Sequence, residues 1–134
     1  ERRMDNIRGL PMKFPDMWPP DCPPSDAVDA DGQVFRIVDH DPPIAQDFGT
    51  PFETNRLANR PPCLRCGLSV FREVRDARHQ RHLFPNLGRL IAQGTLNVEH
   101  GKTKPTGKQP THTTWWAYEN VNRASHFSVF TEEG

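Results

Sequence analysis

Cys63-Leu-Arg-Cys66-Gly67 followed by His79 and His82 carries the most definite chemistry in the chain, at C-x2-C-x12-H-x2-H spacing. Two thiolates on a tight knuckle and two imidazoles on one helical face can complete a tetrahedral zinc site. Gly67 suits the turn after the second Cys, where backbone N–H groups approach sulfur. Zinc held by Cys63, Cys66, His79 and His82 is therefore the cofactor expected. Two simpler readings stand beside it: cysteines as small buried apolar groups, and histidines as part of a basic face. A redox Cys63–Cys66 pair lacks the βαβ surroundings such pairs keep.

The basic face is a stripe of Arg72, Arg75, His79 and His82 at helical spacing, with Arg78 and Arg81 beside it. Arginine forks match phosphate or carboxylate oxygens. Lys102, Lys104 and Lys108 fall in a polar stretch, 100–111, expected to be a loop. Trp115 and Trp116 are adjacent on an expected strand and so point to opposite faces. One is expected in the core and the other exposed, able to stack on a base or a nicotinamide ring. Together these residues make the leading functional expectation, a module binding an anionic partner: nucleic acid, a nucleotide or an acidic protein surface. A solvated helix face is by itself enough to account for the stripe, and the zinc quartet competes for the same two histidines.

The quartet resembles the two-Cys, two-His zinc finger, but its histidines are closer than the usual separation of about three to five residues. His100-Gly101-Lys102-Thr103 imitates a phosphate loop, yet the Gly required five residues before Gly101 is Leu96, which rules out that motif. A rival expectation is a small enzyme acting on a nucleotide cofactor, with Arg36, His112 and Trp115 around a pocket. Arg36, Ser69 and a late Glu (Glu119, Glu132 or Glu133) follow an order that resembles the Arg, Ser/Thr and Glu of ADP-ribosyltransferases. That resemblance implies NAD held by Arg36 and Ser69, with the Glu handling the ribose or the acceptor. The chain lacks the hydroxyl doublet and the Glu-x-Glu of that pattern. The catalytic candidates are thus Arg36, His112 and Glu119.

Composition narrows the classes. The 134 residues are 34 % hydrophobic and carry no net charge. Mean hydropathy is −0.76. No apolar run is long enough to span a bilayer, and no secretory signal is apparent. Three cysteines fit a reduced compartment, so a cytoplasmic location is expected. The charges are segregated: residues 14–53 hold nine acids against Arg36, and residues 54–108 hold eleven Lys or Arg against three acids. Either the two blocks neutralise each other, or the basic block meets an anion.

Positioning elements follow from pattern. Residues 1–30 read as an extended arm, because Pro11, Pro15, Pro19, Pro20, Pro23 and Pro24 exclude regular structure there. Phe14, Met17 and Trp18 are its docking side chains, on its own domain or in a partner chain. Residues 31–134 are expected to form one α+β domain, a mostly antiparallel sheet with two short helices. Strands are predicted at 33–38, 67–71, from 89, at 113–118 and at 125–130, and helices at 51–59 and 71–83. The first helix rests on Thr50-Pro51-Phe52-Glu53, a capping box.

Overall fold

Side chains alternate along β2 (Gly32–Val38), which buries Val34 and Val38 on one face and Phe35 on the other. The computed structural model describes residues 12–131, and among these seven strands form one antiparallel sheet. The remaining strands are β1 (Val28–Asp29), β3 (Leu68–Phe71), β4 (Leu90–Leu96), β5 (Gly101–Pro105), β6 (His112–Ala117) and β7 (Phe127–Val129). Their order across the sheet is β1-β5-β6-β3-β2-β4-β7. Helices α1 (Pro62–Arg65) and α2 (Val74–Leu83) complete an α+β fold. No helix among the described residues is long and apolar enough to cross a membrane.

The first face carries the main core, where Val34, Val38, Leu68, Val70 and Trp115 pack with Phe48 and Phe127. The second face has two smaller patches. Phe35, Phe71 and Ile91 lie with Ala77 of α2, while Trp116 meets Cys66, Ala27 and Trp18. The two tryptophans do point to opposite faces, but both faces are covered and each ring is 0 % exposed. The expectation of one exposed Trp is therefore corrected for both Trp115 and Trp116.

The arm is fastened at three points. Phe14 packs on Tyr118 with ring centroids 4.6 Å apart, Trp18 is buried beside Trp116, and Cys22 is disulfide-bonded to Cys63. Val28 and Asp29, expected within the arm, already pair with Thr103 and Lys102 of β5. Phe14 and Trp18 thus dock on their own domain, leaving Met17 as the exposed member of the trio at 74 %.

Two local expectations fail for physical reasons. The capping box forms, with Glu53 N–H donating to Thr50 Oγ1 and Thr50 N–H donating to Glu53 Oε1, each at 3.0 Å. No helix grows from it, because Asn55 and Leu57 take left-handed φ values of 56° and 54°, which break the ladder. The predicted 100–111 loop instead begins as β5, with Gly101 and Thr103 buried. Lys102 and Lys104 project from that strand and meet Asp29 at 3.2 Å and Asp26 at 3.0 Å. These pairs, together with Arg123–Glu53, bring acids of the 14–53 block onto cations of the later chain.

Candidate functional site

The sheet has a seam. β2 and β3 share one register pair, Phe35 with Phe71, whereas β2 and β4 share seven and β3 and β6 share four. Where the two strands part, a side chain replaces the ladder. Arg36 donates from Nη1 to the Ser69 carbonyl at 2.9 Å and from Nε to the Asp47 carbonyl at 3.0 Å. Its guanidinium lies over the Phe48 ring, 5.3 Å from the centroid. Burial pushes the Arg36 pKa down to about 10, with Arg123 pushing the same way and Asp47 opposing, so it stays cationic at neutral pH.

The Asp47 backbone that Arg36 grips is itself pinned. The Asp47 carboxylate accepts from Asp39 N–H at 2.9 Å and Ile44 N–H at 3.0 Å, and pairs with His40 at 3.1 Å. Burial works to raise its pKa, but the two N–H donors and His40 together hold it below the usual carboxylate range.

On the other side of Ser69, the exposed hydroxyl meets an imidazole. Ser69 Oγ is 3.0 Å from His112 Nε2, and His112 Nδ1 is 2.9 Å from the Thr106 carbonyl. A carbonyl only accepts, so Nδ1 carries the proton and Nε2 offers its lone pair to the Ser69 hydroxyl. Thr106 Oγ1 lies 3.1 Å from the same Nδ1 and 2.7 Å from Thr114 Oγ1. The Phe71 ring meets the imidazole edge-on at 5.2 Å. Burial lowers the His112 pKa, against the opposing bond from Thr106. A hydroxyl on a neutral imidazole, oriented by a third group, is the arrangement that general-base activation requires. Ser69 is gripped from both sides, by Arg36 at its carbonyl and by His112 at its hydroxyl.

His100, buried near His126, also has a lowered pKa, from burial first and then the His126 charge, with Glu99 opposing. Below the unfolded His value of about 6.5 the unfolded chain binds the protons that folded His100 and His112 resist. Stability is therefore expected to be full above that pH and to decline as pH falls through it. His112→Asn should flatten the decline, read as urea midpoints at pH about 7.5 and about 5.5. An unchanged slope in the variant would overturn the assignment of the slope to His112.

The remaining candidates are dispersed. Cys63 is bonded to Cys22, Cys66 is a buried free thiol, and His79 and His82 are exposed on α2. Among the described residues no group of three or more His, Cys, Asp or Glu is placed to hold a metal, so the zinc quartet is not assembled. Arg72 precedes α2 and turns inward, donating to the Asp31 carbonyl and, at 3.5 Å, to Thr103 Oγ1. Arg75 stays on the surface, 77 % exposed, beside Glu73 at 3.6 Å. Glu119 lines an open cleft of about 340 Å³ with Phe48, Glu53, Asn122 and Arg123. Arg36, Ser69, His112 and the buried Trp115 do not line that cleft. Glu132 and Glu133 lie outside the described residues.

Arg36 and His112 were named from sequence, but Thr106 was not, because its contribution is a backbone carbonyl on a turn. Asp47 was likewise missed, and a carboxylate three residues after Ile44, ready to cap the 3-10 turn at Ala45–Phe48, was the available signal. The chain matches no protein-family model, and no curated protein or solved structure is significantly similar to it.

Proposed function

We propose that this domain is a small enzyme acting on a nucleotide cofactor of the NAD type, with Arg36, Ser69 and His112 as its working residues. The observation that carries this reading is the placement of Ser69 at the seam, between the Arg36 guanidinium and the His112 imidazole. Arg36 holds the Ser69 carbonyl from the face of Val34 and Val38, while the Ser69 hydroxyl and the His112 ring share the opposite side, where a ribose can meet them. There Ser69 and His112 supply a hydroxyl and a base, and Arg36 fixes the strand that carries Ser69. The order of Arg36 and Ser69 also resembles that of ADP-ribosyltransferases. Glu119, the remaining part of that resemblance, sits in the neighbouring cleft across Phe48.

Nicotinamide release from NAD, followed by chromatography, tests the reading. Ser69→Ala and His112→Ala are expected to reduce release by roughly 10²-fold or more while the fold persists. Release unaffected by either substitution, or no release and no calorimetric binding of NAD by the folded protein, would sink it.

A second reading, the anion-binding module, draws on the exposed flank of α2, where Arg75, His79 and His82 face solvent. Salt-sensitive binding of oligonucleotides without nicotinamide release would favour it. Cytoplasmic residence goes with reduced Cys22 and Cys63, and the bonded pair goes with an oxidising compartment.

A further inference from the structure

Three cysteines meet in one apolar cluster. Cys22, Cys63 and Cys66 all pack around Trp116 and Trp18, and two of them are bonded to each other. The third stands one helical turn from its neighbour: Cys63 lies inside α1 and Cys66 is its C-cap, with Cys66 N–H donating to the Cys63 carbonyl at 3.1 Å. Residues three apart on a helical turn have Cα atoms about 5 Å apart, inside the span that disulfides bridge. Cys63 is therefore within reach of two partners, Cys22 across 41 residues of sequence and Cys66 on its own turn.

We infer that Cys66 is an exchange thiol that takes Cys63 from Cys22, moving the disulfide to Cys63–Cys66 and releasing the arm. In the step, Cys66 loses its proton to solvent base and its thiolate attacks Cys63 Sγ. The Cys63–Cys66 bond forms, the Cys22–Cys63 bond breaks, and Cys22 leaves as a thiolate that takes up a proton. One disulfide and one thiol are present before and after, so no oxidant or reductant is consumed.

The folded cluster restrains this chemistry. Cys66 is 1 % exposed, and burial pushes its thiol up to about 11, against the Arg65 charge and with Glu53 adding to the rise. Little thiolate exists at neutral pH while Trp18 and Trp116 cover it. Lifting Trp18 admits water, lowers that barrier and frees the thiol to attack. Arm displacement and disulfide transfer are thus coupled: whatever draws Phe14 and Trp18 off the domain also triggers the bond that keeps the arm from being tied back.

The test uses the whole chain in its Cys22–Cys63 form, held at alkaline pH in urea below the unfolding transition. Free thiols are then blocked with N-ethylmaleimide and the peptides mapped by mass spectrometry. The expected result is a growing population with Cys63 joined to Cys66 and maleimide on Cys22, its rate rising roughly tenfold per pH unit below the thiol pKa. Cys66→Ser should keep the Cys22–Cys63 bond throughout. Cys22→Ser, oxidised with glutathione disulfide, should lose both remaining thiols to a Cys63–Cys66 bond. If maleimide present during the urea incubation labels Cys66, yet late blocking still finds only Cys22–Cys63, the inference is overturned.

Discussion

Trp115→Ala is expected to lower the unfolding free energy by roughly 3–5 kcal/mol, the range for a large aromatic removed from a core. The ring is fully buried, touches Phe127 at 5.9 Å and packs among Leu68, Val70 and Leu96. Its Nε1 also donates to the His100 carbonyl at 3.0 Å, so the substitution removes a hydrogen bond as well as opening a cavity. Against a typical total of about 5–15 kcal/mol, such a loss brings the domain close to unfolding at ordinary temperature. Urea denaturation followed by far-UV circular dichroism measures it. A shift below about 1 kcal/mol would mean that the ring is not a core residue.

Gly101→Ala should be as damaging for a different reason. Gly101 has φ +127°, where an L side chain is strained by about 1–3 kcal/mol. A Cβ there would also come 2.0 Å from the Trp116 carbonyl oxygen and 3.0 Å from Ala117 Cα, both backbone atoms of the neighbouring strand. Neither can swing aside without parting β5 from β6, and β1 rests on β5. The expected result is loss of cooperative unfolding or of soluble protein. Gly49→Ala is the control: its φ is −82° and its close neighbour is a Thr54 methyl at 3.1 Å, so it should cost much less. Equal melting temperatures for the two variants would contradict the backbone clash.

A run of β-branched and aromatic residues is a local signal, and the strands that carry one are readable from sequence. Gln33–Val38, Leu68–Phe71 and the His112–Ala117 run announce themselves through β-branched and aromatic residues, as α2 does through Val74 and Ala77. β5 hides, because Lys102, Lys104 and Pro105 make a strand look like a polar loop when Thr103 is its main inward side chain. Position 51–59 misleads in the opposite sense, its capping box being real but followed by two left-handed residues. The site was legible as residue types and illegible as geometry. Ser69 and His112 meet on a diagonal set by the β3–β6 register, in which Ser69 faces Thr114 and His112 faces Phe71. Arg36 answers to the carbonyls of Ser69 and Asp47, and backbone atoms leave no mark in a sequence. The charge layout offered both neutralisation and anion capture, and the pairs made by Lys102, Lys104 and Arg123 go to acids of the same chain.

The Cys22–Cys63 bond turns residues 22–63 into a covalent ring that contains β1, β2 and the Asp47 turn. Its outermost arc, residues 53–62, is exposed throughout and belongs to no strand. A peptide bond hydrolysed on that arc opens the ring without dividing the molecule, since the sulfur bridge still joins the two pieces. The seam strand that carries Arg36 therefore keeps its place in the sheet even when the chain leading to Ser69 has been cut. Connectivity between the two sides of the seam is in this sense redundant, carried once by backbone and once by sulfur, and it becomes single only when the bridge is reduced or moved.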